Sequence, residues 1–242
     1  MHTQRQKVIL EQLIRQKQVC VKELAATLYA SESSIRRDLA ALEAQHLLRR
    51  VHGGAIIEEN GISSMKIPFL IRELEQSNEK LLIAQKAAAL VKDGDVLFLD
   101  ASSSAYALIP FLSARKNLTV ITNGVKALQR LCEYNISTIS TGGNASATCL
   151  SLSGEDARRT IRGYHATLCF FSCRGLSAAG ELSDIYAAED VVRQEMIANA
   201  ASAYLLCAGK KYGKIYYHRL CTVQDIAGVI SDIALPENFK GL

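Results

Sequence analysis

The chain has 242 residues, 49% of them hydrophobic and 21% charged, which suits one large domain or two smaller ones and excludes disordered and collagen-like classes. Apolar runs stop at about six residues and the N-terminus is polar, which argues against a membrane span and a secretory leader. The net charge is +4, and all of that excess lies in residues 1–54, which hold nine Lys/Arg and five acids. The pattern is a small basic module joined to a neutral one, and a basic module attracts polyanions through phosphate neutralisation and counterion release.

In chain order, the first expected element is a helix over about Gln4 to Lys17, with Val8, Ile9, Leu13 and Ile14 as its apolar stripe. A second segment starts at Val21, with Leu24, Ala25 and Leu28 on the same face. Tyr29, Ala30 and Ser31 form a short connection, and Ser31 is placed to cap the next helix, with Glu32 at its positive end. That third helix, Glu32 to Gln45, buries Ile35, Leu39 and Leu42 and turns Ser33, Arg36, Arg37, Ala40 and Ala44 outward. Small side chains let a helix axis approach a groove, and arginine reads guanine or clamps phosphate. Leu47–Val51 and Ala55–Ile57 read as two strands around a His52-Gly53-Gly54 turn, a wing carrying Arg49, Arg50 and His52. The whole describes a winged helix-turn-helix over 1–57. A small helical module for protein contact, with the arginines solvated, is the alternative.

Residues 58–77 read as a linker, with a short strand around Ile67–Ile71. From residue 78 to 242 helices alternate with buried-type strands. Helices are expected at Asn78–Lys92, Ser103–Ser113 (interrupted by Pro110), Val125–Tyr134, Asp156–Arg162 and Ala187–Ala201. Strands are expected at Val96–Asp100, Thr119–Thr122, Ile136–Ser140, Leu168–Ser172, Ala203–Cys207 and Gly228–Ser231. The alternation means an α/β domain with a mostly parallel sheet. Ligands of such sheets sit beyond the strands' carboxyl ends. There the sequence places Asp100 with Ser102, Ser103 and Ser104, then Thr122-Asn123, Gly142-Gly143, Cys173-Arg174-Gly175 and the Lys210-Lys211 segment. Helix-start serines and N–H groups hold phosphate, Asp and Asn fix hydroxyls, and Lys neutralises an anion. The sum describes a pocket for a small phosphorylated polyol.

Other constellations are missing. Seven scattered cysteines without a CxxC pair argue against disulfides and zinc and for a reducing cytoplasm. Histidines lack metal spacing, and no dinucleotide, P-loop or nucleophile-elbow motif occurs. No cofactor is expected.

The stretch VKELAATLYASESSIRRDLAALEAQHLLRRVHGGA, Val21 to Ala55, resembles the N-terminal signature of the DeoR-type (GlpR-like) bacterial transcriptional regulators. Its specific parts are Ser31, Ile35 to Leu39, Leu42, Glu43 and His52 to Ala55. Tyr29-Ala30 stands where the family usually has Gly and an aliphatic residue, and Gln45-His46 replaces a polar-Gly pair. The resemblance implies DNA contacts from Lys22, Ser31, Ser33, Ser34, Arg36, Arg37, Arg49, Arg50 and His52. Downstream, NEKLLIAQKAAALVKDGDVLFLDASSSA, TVITNG, GGN and KKYG are similar to the family's sensor domain, whose fold is sugar-phosphate isomerase-like. Carried across by position, the effector contacts are Asp100, Ser102, Ser103, Ser104, Thr122, Asn123, Gly142, Gly143, Glu189 and Lys211. Ser102, Thr167 and Ala208 depart from the family pattern, the last two replacing carboxylates that would serve hydroxyl recognition.

These readings lead to a cytoplasmic DNA-binding regulator, a repressor of sugar-metabolism genes. It would pair its reading helices as a homodimer or homotetramer on double-stranded operator DNA and respond to a phosphorylated sugar. The alternative is a sugar-phosphate isomerase or deaminase carrying a DNA-binding appendage.

Overall fold

The computed structural model describes residues 4–57, 67–75, 77–236 and 239. The chain divides into two units, residues 1–75 and 76–242.

In the first unit α1 (Gln4–Gln16), α2 (Val21–Thr27) and α3 (Glu32–Glu43) enclose Ile9, Leu10, Leu13, Leu24, Ile35, Leu39 and Leu42, all buried. The first helix stops at Gln16, because Lys17 turns left-handed at φ 68°. Its buried face includes Gln6 and Leu10, while Val8 is only half-buried. A polar reason accompanies the shift: Asp38 of α3 is buried and accepts from Arg5 Nε at 2.5 Å and Gln6 Nε2 at 3.3 Å. Ser31 caps α3 as expected, its hydroxyl accepting from Ser34 N at 3.3 Å.

The wing is a three-stranded antiparallel sheet. Strands β2 (Arg49–Val51) and β3 (Gly54–Ile56) form the expected hairpin, with Leu47 and Leu48 turned into the core instead of extending it. A strand unforeseen from sequence, β1 (Gln18–Cys20), pairs with β3, giving the order β1-β3-β2. Gly54 makes this pairing feasible, since a Cβ there would lie 2.0 Å from the Val19 carbonyl oxygen.

The strand expected around Ile67–Ile71 is instead helical: α4 (Phe69–Leu74) follows Pro68 and lays Ile71 into the first unit's core. Proline before a first turn loses no helical hydrogen bond. Residues 67–75 of the expected linker therefore pack with the first unit, whereas 58–66 and 76 lie outside the described residues.

The second unit is a six-stranded parallel sheet. It comprises β4 (Val96–Leu99), β5 (Thr119–Thr122), β6 (Ser137–Ser140), β9 (Ala166–Phe171), β12 (Ala200–Cys207) and β14 (Gly228–Ser231), in the order β14-β12-β9-β4-β5-β6. Side chains alternate between two cores. Leu97, Leu99, Val120 and Phe170 face α5 (Ser77–Ala88), α6 (Ser103–Leu112) and α7 (Val125–Glu133). Phe98, Ile121, Cys169 and Phe171 face α8 (Glu155–Arg162) and α9 (Ala187–Ala198).

Here α6 runs unbroken through Pro110, with Leu108, Ile109 and Leu112 buried on its inner face. Residues 200 and 201, expected in a helix, open β12 by pairing with β9. Two further antiparallel pieces escaped the periodicity. One is the hairpin β7 (Asn144–Ser146) and β8 (Ser151–Ser153). The other is a sheet of β10 (Gly175–Leu176), β11 (Glu181–Asp184) and β13 (His218–Thr222). Among the described residues no helix is long and apolar enough to cross a membrane.

Candidate DNA-binding face and effector pocket

On α3 the spacing delivers the expected outer surface. Ser33, Arg36, Arg37 and Ala44 are exposed, and Ala40 is half-buried. The two arginines are held differently. Arg36 Nη2 lies 2.7 Å from Glu32 Oε2, one helical turn back, an exposed pair of small stabilising effect. Arg37 Nη2 reaches only Ser34 Oγ, at 3.3 Å, which leaves most of its donor fork available. Ser31, Ser33 and Ser34 share hydroxyl contacts of 2.9 and 3.0 Å at the helix start.

On the wing, Arg49 and His52 are exposed, as is Lys22 at the start of α2. Arg50 is anchored to α3 by Glu43, which accepts from its backbone N at 2.8 Å and its Nε at 2.9 Å. The residues expected to contact DNA thus fall on α3, the wing and the exposed start of α2, all in one unit. Tyr29 is 98% exposed and takes φ 49°, and His46 takes φ 56°. Both departures from the family pattern therefore sit where the backbone is left-handed.

In the second unit the strand order reverses between β4 and β9: β4, β5 and β6 run outward on one side, β9, β12 and β14 on the other. That reversal opens a crevice at the carboxyl ends of β4 and β9. Asp100 ends β4 there. Its Oδ1 accepts from Ser102 N at 3.1 Å and its Oδ2 from Ser172 N at 3.2 Å. Ser102 caps α6, accepting from Ala105 N at 3.1 Å. Ser103 and Ser104, both buried, begin α6, where backbone N–H groups have no helical acceptor. Among the described residues Ser104 Oγ is buried without a partner, and so is Asn123 Oδ1 just after β5. Thr122 Oγ1 is occupied by Gly124 N at 3.0 Å. Gly142 and Gly143 follow the edge strand β6, and Gly143 is needed locally: a Cβ there would meet the Ser153 carbonyl oxygen at 2.3 Å.

The centre of the crevice is a residue the sequence reading passed over. Arg193, on α9 and 4% exposed at its side chain, binds Asp100 (2.9 Å), Asp184 (3.0 Å), Glu189 (3.1 Å) and Asp190 (2.7 Å). Burial alone would push its pKa down, but these carboxylates hold it well above the ordinary value. Glu189 Oε1 also accepts from Ser151 Oγ at 2.7 Å, so the β7–β8 hairpin is tied to α9. Burial raises the Asp190 carboxyl, against the pull of Arg193, and His218 Nδ1 lies 2.7 Å from its Oδ2. Asp100 and Glu189 are therefore both engaged within the protein. The helical spacing of Glu189, Asp190 and Arg193 was the one sequence signal for this cluster.

Lys211, in a short 3₁₀ turn (Gly209–Lys211) after β12, donates from Nζ to Ser172 Oγ at 2.7 Å, and burial lowers its pKa. Arg174 Nη2, also at the end of β9, is buried without a partner. Of the two positions lacking the family's carboxylates, Ala208 is buried at the end of β12. Thr167 lies near the start of β9, at the far end of the sheet, bridging Val96 N and O at 3.1 and 2.9 Å. No role in this crevice falls to Thr167.

Comparison with known proteins identifies both parts of the chain. The DeoR-like helix-turn-helix domain matches residues 5–60, and the DeoR C terminal sensor domain matches residues 75–233. The uncharacterized HTH-type transcriptional regulator YulB of Bacillus subtilis is 36% identical, covering 99% of this chain and 92% of that protein. HTH-type transcriptional regulator GolR of Listeria innocua is 34% identical, covering 95% and 90%. The glycerol-3-phosphate regulon repressor of Escherichia coli is 27% identical, covering 97% and 92%. Among solved structures, eIF2B delta from Chaetomium thermophilum aligns with a TM-score of 0.50 at 15% identity, over 69% of this chain and 62% of that one, a likeness of fold alone. Ribose 5-phosphate isomerase A from Methanocaldococcus jannaschii aligns at 19% identity over 57% and 55%, with a TM-score of 0.45 that bears on no activity. With both domain families matched in order along nearly the whole chain, and with relatives above 30% identity over nine-tenths or more of their length, this protein belongs to the DeoR family of DNA-binding transcriptional regulators.

Proposed function

We propose that the protein is a cytoplasmic repressor of a sugar-metabolism operon. It binds operator DNA through α3 and the wing, as a homodimer or homotetramer, and is controlled by a phosphorylated sugar or polyol held in the crevice between β4 and β9. The observation that carries the effector reading is the pair of buried polar atoms without a partner among the described residues, Ser104 Oγ at the start of α6 and Asn123 Oδ1 just after β5. A buried polar atom left unpaired is destabilising, so each of these two calls for a partner from outside the chain, such as a ligand or an ordered water. Ser103 and Ser104 add open N–H groups at the start of α6, suited to an acceptor oxygen of the ligand. A relative named for glycerol-3-phosphate supports the same chemical class.

An isomerase activity is the weaker reading. Such chemistry needs a general base free to take a proton from carbon. Asp100 and Glu189, the carboxylates carried over from the family pattern, are both bound by Arg193. The effector's role is then to shift the population between arrangements of differing operator affinity.

A thermal-shift screen of phosphorylated sugars beside their unphosphorylated counterparts tests the proposal. A ligand bound only by the folded state raises the midpoint. A rise confined to phosphorylated compounds, with the same compound lowering operator affinity in a gel-shift titration, supports it. A rise with unphosphorylated sugars alone, or with none, overturns it.

A further inference from the structure

Arg174 plays no part in the Arg193 cluster. Its backbone N donates to Ser183 O at 3.1 Å, which fixes the loop after β9, and its guanidinium carbon lies 6.0 Å from the Tyr186 ring centre. Its Nη2 is buried with no hydrogen-bond partner. A buried guanidinium donor without an acceptor destabilises a fold, more so than a neutral group. Two residues earlier in the same loop, Ser172 accepts at its Oγ from Lys211 Nζ at 2.7 Å and donates its N–H to Asp100 Oδ2 at 3.2 Å. One cation is thus bonded to the loop after β9, and a second is carried by that loop two residues on.

The neighbouring cluster sharpens the point. One guanidinium faces four carboxylates there, so the local field repels an anion unless cations stand nearer to it. Lys211 and Arg174 are cations that follow the carboxyl ends of β12 and β9. Their charges sense each other, Arg174 adding to the effect of burial in lowering the Lys211 pKa.

We propose that Arg174 is a specificity-determining residue for the effector, its guanidinium fork and the Lys211 ammonium together taking a dianionic group, a phosphate monoester. The inference rests on the effector reading above and deepens it. Two positive charges match a phosphate dianion, and the planar fork of arginine pairs with phosphate oxygens through parallel bonds that a lysine cannot reproduce. Arg174 therefore separates phosphorylated compounds from neutral ones, while Ser104 and Asn123 are left to meet the remainder of the molecule.

The test uses the full-length protein and two variants, Arg174→Gln and Arg174→Lys, with inorganic phosphate, glucitol 6-phosphate and glucitol as probes at matched ionic strength. The wild type is expected to gain thermal midpoint with inorganic phosphate and more with glucitol 6-phosphate, and nothing with glucitol. Arg174→Gln is expected to lose at least nine-tenths of the phosphate-dependent shift, and Arg174→Lys to keep part of it. Without ligand, Arg174→Gln should melt at or above the wild-type temperature, because the buried Nη2 donor is gone. A purely structural arginine would instead melt lower on replacement. A wild-type shift that persists undiminished in Arg174→Gln, or a ligand-free variant that melts lower, overturns the role of Arg174 while leaving the effector reading in place. A wild type indifferent to both phosphorylated probes and to the wider sugar phosphate screen overturns both.

Discussion

Arg193 Nε donates to Asp100 Oδ2 across 2.9 Å, joining α9 to the residue that closes β4. The same guanidinium holds Asp184, Glu189 and Asp190, so one side chain fixes β4, β11 and α9 around the crevice. Replacing it leaves buried carboxylates uncompensated. Arg193→Ala is expected to destabilise the protein by about 3–5 kcal/mol, read from chemical denaturation of the purified variant. A loss below about 1 kcal/mol would mean that the cluster behaves like a surface pair.

The cluster also has a pH signature. The folded state holds Asp190 protonated to higher pH than the unfolded chain does, because burial raises its pKa. Between the ordinary and the raised value the native state binds more protons, so stability falls as pH rises through that window. Asp190→Asn removes this contribution. Its stability should decline less steeply than the wild type's over the same range, compared as urea midpoints at stepped pH. Parallel curves would exclude Asp190 as the source.

Three non-glycine residues in the first unit sit in left-handed backbone, Lys17 at φ 68°, Tyr29 at φ 49° and His46 at φ 56°. The left-handed region costs an L-residue about 1–2 kcal/mol, partly offset by the entropy glycine loses on folding. His46→Gly is expected to raise stability by up to about 1 kcal/mol, measured as a higher thermal midpoint. A lower midpoint would show that the exposed imidazole makes a compensating interaction.

Thiol reactivity should follow burial. Cys132 is exposed, whereas Cys149, Cys169, Cys173 and Cys207 are buried. Burial pushes the Cys207 thiol up to about 11 and Cys221 up to about 12, and raises Cys169 and Cys173 well above the usual range. Only the thiolate is nucleophilic. Brief alkylation of native protein at neutral pH should therefore label Cys132 first, read by peptide mass mapping. Early labelling of Cys207 or Cys221 would contradict this packing.

Much of the fold is legible in the sequence because burial is periodic. Ile35, Leu39 and Leu42 recur at helical spacing and all are buried, and Leu97, Phe98 and Leu99 form the apolar run of a strand covered on both faces. Three-residue strands such as Gln18–Cys20 carry no period, and their pairing depends on distant Gly54. The helix Phe69–Leu74 follows a proline and is too short to show a stripe. The crevice is half legible: strand-end polar residues announce it, but each carboxylate around Arg193 reads alone as a cap or a solvated helix face. Their convergence is a product of strand order, which no local pattern encodes.

On the proposed function, α3 reads DNA with Arg37 as a principal contact. Fluorescence anisotropy of the full-length protein and Arg37→Ala is the direct measurement, with a labelled duplex selected from a random library and titrated at stepped salt. Wild-type affinity should fall steeply with salt, and Arg37→Ala should lose about 1–3 kcal/mol, roughly 5- to 150-fold, if the arginine reads a base. Equal affinities for the two proteins would remove Arg37 from the reading face, and indifference of the wild type to every duplex at low ionic strength would contradict the account as a whole.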